Sequence, residues 1–369
     1  MIKGKINIFS FRRVLKTVGG NGLLLFSVKD GYLSLRTTNV VDTTSDFVEV
    51  DCQNDFEIIL DAQRVKSAVI AIASLNSTDV EFEVVGRTLK FYFGTGKLEL
   101  PVKDERFPAL EKVKVSTSFD VGVSELLCAL QRFSQYSAAI TNVSKPWQNN
   151  INLAIENGML RLVGTDAISL VSCSCVISSL KSKVTPDVIL NGSVLKSITQ
   201  YLATIDGEEL LTVGLSEQFF ILKRKTGYRV RVGLVCGEYP SWRKLIPSDM
   251  DKKSVSIAKT ELSPVLAAVC WSPDIVSVDL KFRSGLLEVS SLMDDGSYST
   301  LNLPIEFYGQ EMTIRVPAAA MLTLVKSLSN EITIDVYNPD KPLLLSNGDI
   351  ESHVGMLVPM SRKADEKSD

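Results

Sequence analysis

The residue patterns that could support catalysis are few in this chain, and each is incomplete. Gly94-Thr95-Gly96-Lys97 resembles a phosphate-binding loop. That motif, however, needs a glycine where Phe91 stands and a serine or threonine where Leu98 stands. No helix pattern follows the lysine, whereas a phosphate loop must lead into a helix. We therefore do not expect a nucleotide site here.

A catalytic centre built on histidine is equally unsupported. Gly164-Thr165-Asp166 follows a strand pattern, but no histidine or second carboxylate accompanies it for acid–base chemistry, and a turn is the simpler interpretation. The single histidine, His353, stands near the end of the sequence, and no glycine-flanked serine elbow accompanies it. The sequence thus predicts no catalytic residues and a non-enzymatic binding or structural protein.

The six cysteines do not suggest a metal site. No C-x-x-C spacing occurs, and one histidine cannot complete a usual zinc ligand set. Cys173 and Cys175 alternate along a predicted strand and should share one face. Buried reduced thiols are favoured over ligands, and we expect neither a metal nor a cofactor.

A strand that leads into a short amphipathic helix recurs three times and organises the chain. The period of the apolar residues changes from two to 3.6 at Asp61, Asn191 and Pro317, residue types favoured at a helix start. A second strand–helix pattern precedes each copy, and Ser10, Ser124 and Thr260 are the expected N-caps of its helices. The predicted helices are 10–18, 61–71, 124–136, 191–202, 259–271 and 317–328.

The spacing of these repeats predicts three domains, because the copies lie more than a hundred residues apart. The expected fold is α+β, with antiparallel sheets and two short helices in each domain. The predicted boundaries are 1–116, 117–250 and 251–369, the last with a charged tail from Ser361 to Asp369. No apolar run approaches the roughly 20 residues of a membrane span, and no signal-like segment opens the sequence, so we predict a cytoplasmic protein.

Positive charge is concentrated on the predicted helices. They carry nine basic and three acidic residues, a net +6, while the whole chain carries −3 and the remainder therefore −9. Any single basic residue is explained by the solvent-exposed face of its helix. The unequal distribution of charge between the helices and the rest of the chain instead favours a role in binding. Helices lining one surface would attract a phosphate backbone without reading its sequence. The basic residues are Arg12, Arg13, Lys16, Arg64, Lys66, Arg132, Lys196, Lys259 and Lys326.

The repeats, together with three segments in matching order, resemble the bacterial-type DNA sliding clamp, the beta subunit family of DNA polymerase III. These segments are 164–170, 239–247 and 356–360, and the resemblance covers nearly the whole chain. It implies a head-to-tail homodimeric ring that encircles double-stranded DNA independently of sequence. It also implies a DNA polymerase and a clamp loader as partners. The alternative is a clamp-like interaction scaffold that does not load on DNA.

The resemblance also implies a hydrophobic partner-binding groove between the second and third domains. An ordinary core strand is the alternative for its last segment. The family usually has Gly-His-Arg where Ala167-Ile168-Ser169 stands, so a less polar groove is expected here. The implied residues are Thr165, Ala167, Ile168, Ser169, Leu170, Pro240, Lys244, Leu245, Met356, Leu357, Val358, Pro359 and Met360.

The resemblance also implies a set of DNA-contacting loop residues and a set of residues at the ring interface. A loop that touches DNA in the family corresponds to Lys145, Trp147 and Gln148 here, with a plain exposed loop as the alternative. The ring interface would join Leu98 and Leu100 on an edge strand to Cys270 and Trp271 at a helix end. An exposed tryptophan is costly on a monomer, which favours an interface.

Overall fold

A computed structural model of the chain describes residues 2–18, 22–39, 41–75, 78–109, 112–137, 148, 150–181, 187–225, 227–247, 252–348 and 353–360. Within these ranges no helix is long and apolar enough to cross a membrane. The helices are α1 (Ile8–Thr17), α2 (Ala62–Ala73), α3 (Val123–Ser137), α4 (Ser193–Leu202), α5 (Lys259–Val269) and α6 (Ala318–Ser327).

The strands are short, and the described strand pairs are antiparallel. The first group is β1 (Ile2–Asn7), β2 (Leu23–Lys29), β3 (Tyr32–Thr38), β4 (Thr43–Glu49), β5 (Asp51–Cys52), β6 (Phe56–Asp61), β7 (Asp79–Val85), β8 (Thr88–Phe93), β9 (Gly96–Pro101) and β10 (Thr117–Gly122). The second is β11 (Asn150–Glu156), β12 (Met159–Thr165), β13 (Ser169–Leu180), β14 (Asp187–Asn191), β15 (Leu210–Leu215), β16 (Phe219–Arg224) and β17 (Arg229–Val235). The third is β18 (Lys253–Ala258), β19 (Ser277–Arg283), β20 (Leu286–Leu292), β21 (Tyr298–Pro304), β22 (Met312–Pro317), β23 (Glu331–Val336), β24 (Leu343–Ser346) and β25 (His353–Leu357).

The helices lie within two residues of the predicted bounds, whereas the predicted caps are only partly right. Asp61 caps α2, because its carboxylate accepts a hydrogen bond from the Arg64 amide at 2.9 Å. Ser10 is not the cap of α1; Asn7 is, and its side chain accepts from the Ser10 amide. Ser124 and Thr260 both lie inside the first turn of their helices.

Tight turns join neighbouring strands into hairpins. Asp30 and Gly31 join β2 to β3 with φ of 51° and 78°, and the positive values explain why glycine occupies the second position. Gly94 and Thr95 likewise turn β8 into β9, so the apparent phosphate motif ends in a strand.

The chain divides into two compact units. The first comprises residues 1–124, 177–186 and 194–235. One sheet of this unit has the order β5-β1-β7-β8-β9, and the other runs from the end of β13 through β10-β15-β16-β17-β4-β3-β2-β6. Its core contains aromatic side chains of α1 and the sheets, with the Phe11 and Phe26 rings 6.2 Å apart and edge to face.

The second unit comprises residues 125–176, 187–193 and 236–369. Its larger sheet has the order β18-β23-β24-β25-β13-β12-β11-β14, and a smaller one has the order β21-β20-β19-β22. Helix α6 packs closely on β25 at Gly355, where a Cβ would lie 2.9 Å from a Leu324 methyl. The predicted three-domain division stays a prediction.

Candidate functional site

The predicted groove residues gather where β13 pairs with β25 in the second unit. Leu170 lies opposite Met356, and Ser169 lies opposite Leu357. An apolar cluster is built around this pairing, and each member is at most 8% exposed. Its members are Val163, Leu170, Trp242, Tyr337, Leu344, Val354 and Met356. The cluster forms a rigid floor because strands from both halves of the sequence contribute to it.

A tight turn between β12 and β13 forms one wall. One oxygen of Asp166 accepts from the amides of Ile168 and Ser169, at 2.9 and 2.6 Å. The Thr165 hydroxyl donates to the Ser169 carbonyl oxygen at 2.7 Å. Ala167 adopts φ of 80°, a conformation that only glycine takes without strain. The result is that Ile168 points outward and is 50% exposed.

The segment from Tyr239 to Leu245 forms the second wall. Trp242 is buried in the apolar cluster, and a single 3₁₀ turn runs from it to Lys244. Lys244 is exposed and Leu245 is 46% exposed, directly after a turn that begins with a buried residue. Burial raises the pKa of Tyr239, whose hydroxyl lies 3.1 Å from the Val163 carbonyl oxygen. This hydrogen bond attaches the segment to β12.

The segment after β25 forms the third wall. The Val358 amide donates to the Ile168 carbonyl oxygen at 2.9 Å, and the Met360 amide donates to the Arg315 carbonyl oxygen at 2.8 Å. Val358 is 37% exposed, while Pro359 and Met360 are half-buried. The segment is therefore more than a core strand: it leaves the sheet and keeps apolar side chains at the surface.

The thirteen predicted groove residues thus divide into a floor and a rim. Those in the floor are buried: Thr165, Ser169, Leu170, Met356 and Leu357. Those in the rim are exposed or half-buried: Ala167, Ile168, Pro240, Lys244, Leu245, Val358, Pro359 and Met360. The rim is mostly apolar, as expected from the absence of the family's histidine and arginine.

Beside Met360 the surface opens into a cleft of about 930 Å³ that was not predicted from the sequence. Met312, Thr313 and Arg315 of β22 line one side, and Asn338 and Asp340 lie on another. Arg315 binds Asp279 through two hydrogen bonds of 2.7 and 2.8 Å, so its charge is neutralised locally. No sequence motif marks these residues, because β19, β22 and β23 meet only in the fold.

His353 lies at the other end of the same strand pairing and is fully buried. Its Nδ1 is 2.9 Å from Cys173 Sγ, and its Nε2 is 3.3 Å from Ser327 Oγ. The Ser327 hydroxyl donates to the Leu324 carbonyl oxygen, so its oxygen accepts from Nε2–H and the thiol donates to Nδ1. Burial raises the pKa of Cys173 and lowers the pKa of His353 to about 4. The imidazole is therefore neutral and structural.

The helical cations of the first unit lie mostly at its surface. Lys16, Arg64 and Lys196 are exposed, and Arg12 and Arg13 are half-buried. Lys66 is also half-buried, and this burial lowers its pKa below the usual value. Their role in binding phosphate stays a prediction.

Cations of the second unit differ from one another. Lys326 is exposed on α6. The Lys259 ammonium instead donates to the carbonyl oxygens of Lys326 and Leu328, at 2.9 and 2.6 Å, which stabilises the end of α6. Arg132 donates to the Ser329 hydroxyl at 3.2 Å. These two cations have structural partners within the unit.

The loop predicted to touch DNA is described only at Gln148. This residue is 8% exposed, and its amide donates to the Asp166 carbonyl oxygen at 3.0 Å. Gln148 therefore supports the turn of the groove wall instead of presenting an open side chain. Lys145, Trp147 and the tail 361–369 lie outside the described residues.

The predicted interface residues differ in exposure. β9 is an edge strand that pairs with β8 alone among the described strands, and Leu98 on it is half-buried. Leu100 is 8% exposed and belongs to the core of its own unit, so its side chain is not open for contact. Trp271 is 60% exposed, and Cys270 is half-buried.

A second edge strand was missed from the sequence. β21 pairs with β20 alone within the described part of the chain, and it carries Tyr298 at 60% and Leu301 at 39% exposure. Its edge position depends on the order of the strands in the sheet, which no local sequence pattern indicates. Unpaired edges with apolar side chains are common sites of association.

Comparison with known proteins gives one consistent result. No protein-family model matches the chain. Its sequence is 22% identical over 356 residues to a beta sliding clamp of Pseudomonas aeruginosa, and the match covers 95% of this chain and 94% of that protein.

Solved structures agree in fold. A DNA polymerase sliding clamp from Pseudomonas aeruginosa, crystallised with a ligand, matches with a TM-score of 0.87 and 18% identity, over 98% of this chain and 100% of that one. A structure of the clamp from the same organism bound to griselimycin has a TM-score of 0.86 at 18% identity, with the same shares covered. The clamp of Bacillus subtilis has a TM-score of 0.84 at 20% identity, over 98% and 99% of the two chains. The resemblance expected from the motifs is confirmed: the chain has the sliding-clamp fold.

Proposed function

We propose that this protein is a DNA sliding clamp, a non-catalytic processivity factor that acts in the cytoplasm and tethers a DNA polymerase to duplex DNA. The observation that carries the proposal is the whole-chain likeness to sliding clamps, with TM-scores of 0.84 to 0.87 over 98% of the chain. Three further features of the described residues support it: helical cations, exposed sheet edges and an apolar groove.

Duplex DNA is the proposed ligand of the helical cations. Lys16, Arg64, Lys196 and Lys326 are exposed on four different short helices. Contacts from such side chains go to phosphates and carry no sequence information, which suits a protein that must move along DNA. Lys259 is the weakest member of the predicted set, because its ammonium is hydrogen-bonded to the end of α6.

Closure into a head-to-tail homodimer is the proposed use of the two sheet edges. Pairing of β9 of one protomer with β21 of its partner would satisfy backbone groups and cover Leu98, Tyr298 and Leu301. The exposed Trp271 side chain would also be shielded from water. A closed ring explains how binding can persist on DNA without any sequence preference.

Peptide segments of a polymerase and of a clamp loader are the proposed ligands of the groove. Ile168, Leu245 and Val358 offer exposed apolar surface above a rigid buried floor, and Met360 adds an adaptable side chain. Binding there would raise the local concentration of the polymerase at the DNA rather than change its chemistry.

The decisive experiment measures retention on DNA of different topology. The protein is loaded by a clamp loader onto nicked circular DNA, and the complex is passed through a gel-filtration column at high salt. We expect retention on circles and dissociation after a restriction enzyme linearises the same DNA. Sedimentation should give a particle of twice 40.5 kDa. Equal behaviour on both DNA forms would leave the interaction scaffold as the better description.

A further inference from the structure

The partner-binding wall formed by Lys244 and Leu245 depends on side chains that do not belong to the groove. The 3₁₀ turn Trp242–Lys244 is three residues long, and its N-cap Ser241 makes no capping hydrogen bond through its side chain. Turns of this length are not stable by themselves. The conformation that exposes Leu245 must therefore be imposed by contacts with the rest of the unit.

Two aromatic side chains attach the segment to the sheet. The Tyr239 hydroxyl lies 3.1 Å from the Val163 carbonyl oxygen, and Trp242 Nε1–H donates to Asn152 Oδ1 at 3.1 Å. Trp242 is only 3% exposed. These contacts fix where the segment begins and where Trp242 lies, but they leave the direction of the following residues open.

Arg243 supplies the remaining restraint. Its guanidinium lies 4.4 Å from the centre of the Trp242 ring. It donates to Glu156 at the end of β11 and, at 3.4 Å, to Asp187 at the start of β14. The other oxygen of Asp187 accepts from the Asn152 amide. The four side chains of Trp242, Asn152, Asp187 and Arg243 thus form a closed circuit of contacts.

The circuit matters because each contact by itself is weak. The Arg243 side chain is 44% exposed, and its carboxylate partners are 29% and 53% exposed, so neither ion pair is strongly stabilising alone. Stacking on an aromatic ring and two simultaneous carboxylate contacts require a planar guanidinium, which lysine cannot replace. Beneath the segment lies an open cleft of about 380 Å³, into which the turn has room to relax once the circuit is broken.

We propose that Arg243 is a positioning residue: stacked on Trp242 and held by Glu156 and Asp187, it fixes the turn that presents Lys244 and Leu245 to a partner peptide. The proposal rests on the proposed partner-binding function of the groove. Arg243 acts through the turn, so its replacement should weaken peptide binding without removing any atom that the peptide touches.

The probe is a fluorescein-labelled peptide selected from a phage-displayed library on the full-length protein. Only a peptide whose affinity falls at least tenfold for Leu245→Ala is used, since that variant defines binding at the groove. Fluorescence anisotropy then compares Arg243→Ala, Arg243→Lys and the control Arg283→Ala. Arg283 is a suitable control because it also contacts two carboxylates, Glu288 and Glu311, on a different sheet of the same unit.

We expect Arg243→Ala to bind the peptide about tenfold more weakly, Arg243→Lys to be intermediate, and Arg283→Ala to stay within twofold of the wild type. The double variant Arg243→Ala, Leu245→Ala should bind as weakly as Leu245→Ala alone, because one residue acts through the other. A purely structural role would instead make the two reductions in affinity multiply. If Arg243→Ala fails to fold, the comparison of Arg243→Lys with Arg283→Lys carries the same test.

The outcomes separate the two levels of the proposal. Wild-type affinity of Arg243→Ala, or multiplicative reductions in the double variant, overturns the role of Arg243 while leaving the groove intact. If no selected peptide responds to Leu245→Ala, the groove assignment itself fails, and the role of Arg243 fails with it. Retention of the wild type on circular DNA tests the clamp function separately, because the assay uses no groove variant and a loaded ring no longer needs the groove.

Discussion

Acidification should destabilise the protein through its single histidine. His353 is fully buried and accepts the Cys173 thiol proton at Nδ1 while it donates to Ser327 from Nε2. A proton on Nδ1 would remove that acceptor and bury a positive charge. Burial therefore lowers the pKa of His353 from its ordinary 6.5 to about 4.

Linkage between protonation and folding sets how the free energy of unfolding changes with pH. The unfolded chain takes up a proton below pH 6.5, whereas the folded protein resists protonation down to about pH 4. The contribution to stability is thus complete about one pH unit above 6.5 and is lost as pH falls through 6.5 towards 4. A difference of about 2.5 between the two pKa values corresponds to about 3.4 kcal/mol, and about 1.4 kcal/mol of this should be lost by pH 5.5.

The assay compares urea unfolding of the wild type and of His353→Asn at pH 7.5, 6.5, 5.5 and 5.0. Asparagine keeps an acceptor near the Nδ1 position and does not titrate, and the carboxylates common to both proteins cancel in the difference. The free-energy advantage of the wild type should shrink by about 1.0 kcal/mol between pH 6.5 and 5.5, and by about 1.3 kcal/mol between pH 7.5 and 5.5. A difference that stays constant over the whole range would refute the assignment of a buried neutral imidazole.

Four further predictions address other features. Ala167→Gly should raise the free energy of unfolding by about 1 kcal/mol, because glycine adopts a φ of 80° without strain. The control Ala319→Gly, on the exposed face of α6, should lower the free energy of unfolding by about as much. Thermal unfolding measures both changes. Asp46→Asn should become more stable relative to the wild type as pH rises from 3 to 7. Burial raises the pKa of Asp46, so the ionised carboxylate destabilises the folded wild type once pH passes that raised pKa. Urea unfolding at several pH values measures the stability difference, and a difference that decreased with pH would contradict the prediction. Trp271→Glu should reduce the sedimenting mass from twice 40.5 kDa to 40.5 kDa, whereas an unchanged dimer would remove Trp271 from the interface. Lys16→Ala should reduce the slope of log affinity for duplex DNA against log salt by about 0.9 for each phosphate that is no longer neutralised, measured by filter binding.

Local signals in the sequence were sufficient for the secondary structure. Asp61 caps α2 because a carboxylate at that position reaches the Arg64 amide, and this needs only a few neighbouring residues. Asp30 and Gly31 form a hairpin turn for the same kind of reason. Even so, the cap of α1 was misplaced, since Asn7 and Ser10 both suit the role and only the end of β1 decides between them.

The arrangement of side chains in the groove could not be predicted from local sequence signals. Resemblance to the clamp family named the segments that contribute to it, and two of these, 165–170 and 356–360, are directly hydrogen-bonded to each other. The direction of each side chain was not predictable. Ile168 is exposed because Asp166 holds the turn, and Leu170 is buried because it lies opposite Met356. The anchoring by Arg243 was also missed, because Glu156 and Asp187 are far from it in sequence.

The sequence by itself determined the repeated strand–helix units, the helix positions, the turns and the excess of positive charge on the helices, since all of these depend on neighbouring residues and on composition. Only the tertiary structure decided which of the predicted site residues have side chains free to contact a ligand or a partner. Lys259 is bound to the end of α6, Gln148 supports a turn and Leu100 packs inside its unit. The reason is physical: hydrogen bonds and burial depend on distances between segments that are remote in sequence, and the register of the strands sets those distances.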